Sequence, residues 1–296
     1  MNGFLLIDKP SGLTSAQCVY QLRKVLGNRK VGHCGTLDPL ATGVLPICVG
    51  EATKFSTFIS GLSKEYLVKI LFGVYTDTGD VLGQVISQEE FTFTKQELEL
   101  ALKNFIGKQL QTPPMYSALK IKGKPLYRWV RKGIYLKRDA RKITVKSINL
   151  ESFNNDIAVL RITCSKGTYI RTLVESIGKF LGTTATVKEL RRTKIGQINI
   201  NILHKLNSLK NGRPNEELIP CGKMLEHLPK VSFDLKDIKK IRNGLSVDYN
   251  TRLEKEKIIR IYEETGSFVG IGQVDTSSRV SPKRLLSIKK DFERRY

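Results

Sequence analysis

Cysteine and histidine are scarce in this chain, and their spacing excludes the sites that they most often build. Its 296 residues include five cysteines and three histidines. No two cysteines have the C-x-x-C spacing of a structural zinc site, and no histidine lies at metal-site spacing from a cysteine. An odd number of cysteines also argues against a disulfide scaffold. We therefore expect buried, reduced thiols and no metal.

Long apolar runs are also missing. Near the N-terminus only four consecutive apolar residues, Phe4–Ile7, precede the charge of Asp8. This run is too short for the core of a signal peptide or for a membrane span. Hydrophobic residues nevertheless make up 40% of the chain, which excludes a disordered protein and allows a sizeable core. We expect a cytoplasmic protein of two domains that does not associate with membranes.

Signatures of nucleotide and cofactor binding are absent as well. The segment from Gly43 to Thr53-Lys54 has glycine, threonine and lysine, but not in the order of a phosphate-binding loop. No G-x-G-x-x-G follows a predicted strand, and Asp77 and Asp80 are too close together for a calcium loop. The sequence therefore predicts an activity that needs no cofactor.

Acidic residues are too few to balance the basic ones. Fifty lysines and arginines against twenty-eight aspartates and glutamates give a net charge of +22. Such charge destabilises a compact chain by self-repulsion, so a polyanionic partner is expected. Nucleic acid is the strongest candidate; an anionic membrane surface and a charge that serves solubility are the alternatives.

The basic charge is concentrated between residues 116 and 146. Aromatic side chains are interleaved with it, a combination that suits phosphate contacts and base stacking in RNA. A solvated charged face over core aromatics is the alternative, and the net charge favours nucleic acid. The basic residues are Lys120, Lys122, Lys124, Arg128, Arg131, Lys132, Lys137, Arg138, Arg141, Lys142 and Lys146, and the aromatic ones are Tyr116, Tyr127, Trp129 and Tyr135.

The pattern of apolar residues predicts a mixed α/β chain, in the α+β class. Helices are expected from a Ser15 cap to Leu26, from Thr94-x-x-Glu97 through Phe105 to Gly107, and around Leu173–Leu181. Strands are expected at 4–7, 66–72, 83–87, 143–153 and 157–164. Beyond Leu228 short strands and turns predict a small, mostly β module, so the predicted domains are 1–228 and 229–296.

The stretch 32–46 contains one carboxylate, Asp38, and one imidazole, His33, among three glycines and two prolines. Glycine permits backbone angles that other residues avoid, and proline removes a donor, so the stretch is a shaped loop rather than a helix or a regular strand. Such a loop is a candidate site for chemistry. Alternatively, Asp-Pro simply starts a turn.

Motifs distributed over roughly two hundred residues resemble, in the same order, those of the TruB family of pseudouridine synthases. They are Lys9-Pro10-x-Gly12-x-Thr14-Ser15; Gly32-His33-x-Gly35-Thr36-Leu37-Asp38-Pro39-x-Ala41-Thr42-Gly43-x-Leu45-Pro46; Lys64-x-Tyr66 with Gly73-x-x-Thr76-Asp77-Thr78-x-Asp80-x-x-Gly83; Gln111-x-Pro113-Pro114-x-Tyr116-Ser117-Ala118-x-Lys120-x-x-Gly123; and Cys164-Ser165-Lys166-Gly167-Thr168-Tyr169-Ile170-Arg171-Thr172-Leu173 with Leu190-Arg191-Arg192. Ile241–Gly244 and Phe268–Val274 are similar to a PUA-type RNA-binding module.

The resemblance implies a catalytic domain built on a large mixed, mainly antiparallel sheet with flanking helices. It also implies an enzyme that isomerises a uridine of the tRNA T loop, position 55, to pseudouridine, without cofactor or metal. The expected partner is the tRNA T stem-loop. The short chain favours the stand-alone monomer of this family over relatives that need partner proteins. An RNA-binding tRNA folding chaperone, with catalysis secondary, is the alternative.

The resemblance also assigns roles to individual residues. Asp38 is the catalytic carboxylate, as nucleophile or as stabiliser of the sugar cation. Arg171 is the arginine that pairs with it, and Tyr66 stacks on the flipped uracil. Tyr169 lies two residues before Arg171, so an extended segment would point both side chains into one pocket. For each of these residues, a packing or surface role is the alternative.

A further set of residues is expected to contact the RNA or the base. The resemblance implies that His33 contacts the extruded nucleotide, and Leu190 is expected in the pocket wall. Lys9, Lys64 and Lys120 could hold phosphates or be solvated charges. Each could instead serve only the fold.

Overall fold

A computed structural model of the chain describes residues 2–212, 214, 216–249 and 256–287. The strands in these ranges are β1 (Gly3–Lys9), β2 (Val31–His33), β3 (Thr42–Val49), β4 (Lys64–Phe72), β5 (Val74–Thr76), β6 (Val85–Gln88), β7 (Gly107–Gln111), β8 (Lys120–Ile121), β9 (Lys124–Pro125), β10 (Arg141–Asn154), β11 (Ile157–Cys164), β12 (Ala185–Ile195), β13 (Ile198–Asn199), β14 (His204–Lys205), β15 (Lys230–Phe233), β16 (Val247–Asp248), β17 (Ile258–Glu263), β18 (Phe268–Val274) and β19 (Arg279–Leu285). The helices are α1 (Ser15–Val25), α2 (Ser56–Ser60), α3 (Lys95–Lys103), α4 (Leu126–Val130), α5 (Ile170–Phe180), α6 (Leu206–Asn211), α7 (Cys221–Met224) and α8 (Leu235–Arg242), with 3₁₀ turns at Gly50–Phe55 and Ile200–Ile202.

A ten-stranded sheet forms the larger part of the molecule. Its path is β14-β1-β3-β12-β4-β11-β10-β7, and β2 and β13 pair with β3 and β12. Within this sheet, the described residues form parallel pairs at β1–β14 and β3–β12, and the other pairs are antiparallel. A second sheet, in the order β15-β17-β18-β19-β16, follows it in the chain. The predicted α+β class, with a large mixed sheet and a small β module, is confirmed.

The parallel contact of β3 with β12 positions the loop at residues 34–41. This loop leaves β2 and enters β3, which runs through the middle of the sheet. Seven of the eight residues of β3 are buried, because helices and loops cover both faces of the strand. The loop therefore leads directly into a buried strand, and β12 lies beside that strand.

Two predicted helix ends were wrong. Thr14, not Ser15, caps α1, because its hydroxyl accepts the N–H of Gln17 in a capping box. Helix α3 ends at Lys103, and Phe105 packs on the core from the turn that follows. The local capping box thus decides the start of α1, and residues 104 and 105 leave the α-helix through i→i−3 hydrogen bonds to the carbonyls of Ala101 and Leu102.

The two sheets share part of their cores. Phe55 and Ile59 lie in one apolar cluster with Ile271 of β18, and the rings of Phe55 and Phe268 meet edge to face at 5.6 Å between centroids. The Glu51 carboxylate accepts the backbone N–H of Ser287 at 3.0 Å. Among the described residues, no helix has the length and apolar content needed to span a membrane.

Candidate active site

Two buried side chains hold the loop that carries Asp38. The guanidinium of Arg192, on β12, donates to the carbonyls of Val44 at 2.8 Å, Gly35 at 3.1 Å and Thr36 at 3.3 Å. From the opposite side Ser15 of α1 bonds both the N–H and the carbonyl of Leu37. The side chain of Asp38 is 33% exposed, so the fold fixes its backbone and leaves the side chain accessible.

Arg171 joins the Asp38 loop to two other segments. Its Nε donates to Oδ2 of Asp38 at 2.9 Å, its Nη2 to the carbonyl of Tyr116 at 2.7 Å, and its Nη1 to the carbonyl of Thr78. The side chain is only 5% exposed. Charge-assisted bonds of this kind fix the orientation of a carboxylate. Arg171 therefore both positions Asp38 and closes the site around it.

Asp80 is a second carboxylate beside Arg171, and sequence analysis gave it no role. Its Oδ2 lies 3.9 Å from Nε of Arg171, and its other oxygen accepts from Thr78 Oγ1 and the N–H of Leu82. Burial raises the pKa of Asp80, while Arg171 and these hydrogen bonds oppose the rise. The motif Thr76-Asp77-Thr78-x-Asp80 could have indicated a role for Asp80, because it combines carboxylates with turn-forming hydroxyls.

Tyr169 reaches the site differently from the way that sequence predicted. It is not in an extended segment with Arg171; it is the residue before α5, and Arg171 is already in the first turn of the helix. The buried amide of Gln111 holds it, since its oxygen accepts the N–H of Tyr169 at 2.8 Å and its nitrogen donates to the Tyr169 carbonyl at 3.0 Å. Gln111 is a supporting residue that sequence analysis missed.

Tyr66 lies on β4, 8% exposed, with its phenol against the guanidinium of Arg192. Burial raises the pKa of Tyr66, so its phenol is neutral at physiological pH. A ring in this position offers an apolar face and a polar edge to a bound base.

These residues enclose a cavity of about 350 Å³. Asp38, Arg171, Tyr66, Tyr169, Leu190 and Lys64 all line it. Its other lining residues are Gly35, Thr36, Leu37, Ser60, Ala118, Leu119, Ser165, Gly167, Thr168, Ile170 and Arg192. His33, Lys9 and Lys120 do not line it.

The expectation that Lys9 holds a phosphate is wrong. Its side chain has no exposed surface, and its Nζ donates to the carbonyls of Pro10, Leu13 and Pro39. Burial lowers the pKa of Lys9 to about 8. An ammonium with three carbonyl partners has no donor left for RNA, so Lys9 braces the loop that contains Asp38.

Lys64 is also buried, but it faces the cavity. It is 7% exposed and donates to the carbonyls of Ser60 at 2.5 Å and Leu62 at 2.6 Å. Burial lowers the pKa of Lys64 to about 8. Lys64 thus faces whatever enters the cavity, and the phosphate role expected for it stays a prediction.

The remaining predicted contacts lie outside the cavity. His33 is half-buried on β2, burial lowers its pKa, and its Nδ1 has no hydrogen-bond partner among the described residues. Lys120 is exposed in the β8–β9 hairpin. This hairpin and α4 form a small unit over Met115, Leu126 and Val130.

The five cysteines are all buried, with free thiols, as predicted. Burial raises the pKa of Cys164 and Cys221 to about 11. The thiols of Cys164 and Cys221 are therefore protonated, and both residues serve as small apolar side chains.

Comparison with known proteins shows which family this chain resembles. The family model "TruB family pseudouridylate synthase (N terminal domain)" matches residues 23–170. The models "tRNA pseudouridylate synthase B C-terminal domain" and "Pseudouridine synthase II TruB, C-terminal" match residues 171–225 and 229–286. The chain belongs to the TruB family of pseudouridylate synthases. It is accordingly an enzyme, an isomerase.

Relatives resemble the chain over almost its whole length. The tRNA pseudouridine synthase B of Chromobacterium violaceum is 42% identical, covering 97% of this chain and 95% of that protein. The one of Neisseria meningitidis is 40% identical over 92% of this chain and 90% of its own. Among solved structures, a chain of an H/ACA RNP bound to a substrate RNA superposes with a TM-score of 0.74 at 23% identity, covering 97% of this chain and 86% of that one. At this identity the structural match shows the fold.

Proposed function

We propose that this enzyme converts the uridine at position 55 of the tRNA T loop into pseudouridine. The observation that carries the proposal is the carboxylate of Asp38, held 2.9 Å from Nε of Arg171 at the edge of a cavity lined by Tyr66 and Tyr169. The names of the relatives support tRNA as the substrate.

The cavity suits a single base better than a stretch of duplex. Extruding a base from a folded loop costs a few kcal/mol of lost stacking, which the aromatic walls can offset. In the bound state Tyr66 stacks on the uracil and Leu190 closes its other side. Asp38 then stabilises positive charge at C1′ of the ribose, or attacks that carbon, as the glycosidic bond breaks.

The surface around the cavity supplies the RNA contacts. The +22 charge, and Lys120 with its neighbours in 116–146, attract phosphates. His33 contacts the extruded nucleotide beside the cavity. The proposed domains are a catalytic part, 1–228, and a PUA-like RNA-binding part, 229–296, whose residues 250–255 and 288–296 lie outside the described ranges. The protein acts as a cytoplasmic monomer without a partner protein.

The test is single-site mapping of pseudouridine on an unmodified tRNA transcript. Wild type is compared with Asp38→Asn and with Asp156→Asn, a control in the exposed turn between β10 and β11. Conversion at the T-loop uridine, lost only in Asp38→Asn while tRNA binding persists, is the expected result. Conversion at another site would overturn the substrate position, and an active Asp38→Asn would overturn the catalytic assignment. Tight tRNA binding by a wild type without conversion would favour the folding chaperone.

A further inference from the structure

The floor of the cavity contains two cations that no carboxylate neutralises. Lys64 and Arg192 both line it, 7% and 1% exposed. The hydrogen-bond partners of both are backbone carbonyls, which are neutral. Within the described residues, neither forms an ion pair with an aspartate or glutamate, whereas Arg171 has both Asp38 and Asp80.

Buried cations without a counter-ion are costly to keep. Desolvation of a charge in a protein interior costs several kcal/mol, and carbonyl dipoles offset only part of it. The cost falls in the wall of the catalytic cavity, where a bound ligand can meet the charge. Cations in such a wall suit a ligand that becomes negative there.

Lys64 also has a donor to spare. An ammonium group donates three hydrogen bonds, and the carbonyls of Ser60 and Leu62 take two. Lys64 and Tyr66 are two residues apart on β4, so they share one face of the strand. A base stacked on Tyr66 therefore has the third donor of Lys64 beside its edge.

We propose that Lys64, with Arg192 behind Tyr66, stabilises the negative charge that uracil acquires when its glycosidic bond breaks. This inference rests on the proposed function, because it requires the target uridine to occupy this cavity. The N1–C1′ bond breaks with its electron pair on uracil, spread over N1, O2 and O4, and a carbonyl oxygen of the base accepts the hydrogen bond of Lys64. The C5–C1′ bond then forms, C5 loses its proton and N1 gains one, so the reaction remains an isomerisation without oxidant or reductant.

Asp38 and Lys64 thus each stabilise one of the two opposite charges that develop in the transition state. The carboxylate stabilises the sugar side, where positive charge grows, and the ammonium stabilises the base side. Donors that are fixed in a partly dry cavity need no reorganisation as charge develops, which makes them more effective than water.

The test varies the leaving group. Cleavage of the N–C bond is measured in single turnovers on two T-loop substrates, one with uracil at the target and one with 5-fluorouracil, whose anion is intrinsically more stable. For Lys64→Met we expect the rate with uracil to fall about 100-fold, as on loss of a transition-state donor, with little change in substrate affinity. With 5-fluorouracil the loss should shrink to about 10-fold or less, because that base needs less help to leave.

Matched variants separate charge from structure. Lys69→Met removes a lysine from the same strand, where it pairs with Glu189, and should leave both rates unchanged. Lys64→Gln keeps a donor for the carbonyls but has no charge. Like Lys64→Met, it should lose less cleavage rate with 5-fluorouracil than with uracil. If Lys64→Met does not fold, Lys64→Gln provides the test in its place. An equal loss on both bases, or a loss confined to affinity, would overturn the role of Lys64. A wild type that binds the T-loop substrate but cleaves neither N–C bond would instead overturn the underlying function.

Discussion

At the scale of single residues, the site depends on groups that fix the Asp38 loop. Arg192 donates to two carbonyls of this loop and to that of Val44 on β3, and Gly43 lets β12 approach closely enough for this. A Cβ at Gly43, where φ is +98°, would lie 2.2 Å from the carbonyl oxygen of Arg192. The position of the Asp38 carboxylate therefore depends on packing at a residue five positions further along the chain.

Replacement of Gly43 by alanine should destabilise the protein by about 3 kcal/mol or more, because a positive φ and a backbone clash add. Gly12→Ala is the matched control, since its φ is +84° and a Cβ there meets nothing within 4 Å. The control should cost only about 1–2 kcal/mol. Urea denaturation followed by circular dichroism measures both, and equal losses would show that the contact with Arg192 is unimportant.

Arg171→Lys should reduce conversion of the target uridine about 100-fold or more while tRNA affinity changes little. Lysine keeps the charge but lacks the planar fork that reaches Asp38, the Thr78 carbonyl and the Tyr116 carbonyl together. Single-turnover conversion and filter binding on the same tRNA measure the two effects. A variant with normal conversion would mean that charge alone orients Asp38.

The two buried lysines should make stability depend on alkaline pH. Burial lowers the pKa of Lys9 from 10.5 to about 8, so from pH 8 to 10.5 the unfolded chain binds more protons than the folded one. The free energy of unfolding therefore receives a contribution that rises with pH in this window, by up to about 1.4 kcal/mol per pH unit and per group. Lys9→Met should show a flatter rise than wild type or Lys69→Met in urea titrations at several pH values. An identical slope would show that Lys9 titrates normally.

At the scale of elements, the basic segment 116–146 is a folded unit rather than a loose loop. The β8–β9 hairpin and α4 pack over their own small core, and Trp129 donates its indole N–H to the carbonyl of Ile121. Tyr116 attaches this unit to the site, through its carbonyl to Arg171 and its hydroxyl to Asp77 at 3.1 Å. Most of its cations remain exposed, which suits a surface that binds phosphates.

Removing three of these cations should lower the salt dependence of tRNA binding. If Lys120, Lys122 and Arg128 contact phosphates, the triple alanine variant should reduce the slope of log affinity against log salt by about 2. Alanine at Lys95, Lys103 and Lys108, exposed on α3 and β7, is the control of equal charge. Equal slopes for the two triple variants would place the RNA elsewhere.

At the scale of the whole molecule, the two sheets are packed as one body at the Phe55 cluster. Ile271, on β18, is fully buried in that cluster, whereas Val280, on β19, is fully buried in the separate core of the second sheet. The C-terminal module is therefore held in a fixed place relative to the Asp38 loop, as RNA binding across both parts would require.

Ile271→Ala should destabilise the protein by about 2–5 kcal/mol and loosen both sides of this junction. Hydrogen exchange should rise in β18 and also at residues 50–59. Val280→Ala, the control, should raise exchange in the second sheet but leave residues 50–59 protected. Protection of residues 50–59 in both variants would mean that the two parts open independently.

Much of this protein could be predicted from the sequence because short-range chemistry decides it. The pattern of apolar residues predicted β11 and most of β4, the pattern Thr94-x-x-Glu97 predicted the start of α3, and an excess of lysine and arginine predicted a polyanionic partner. The shaped loop pointed to Asp38 as a candidate without any knowledge of its neighbours. These features depend on residues that are close together in the chain, so a single sequence contains them.

Only the tertiary structure decided which of those residues share a cavity. Lys9 and Lys64 read as exposed cations, but the folded chain buries both, and the Nζ of Lys9 also donates to the distant carbonyl of Pro39. Asp80 and Arg192 gained their roles because a hairpin and β12 fold beside Arg171 and the Asp38 loop. Burial and hydrogen-bond partners are set by contacts between distant segments, and local pattern cannot specify them.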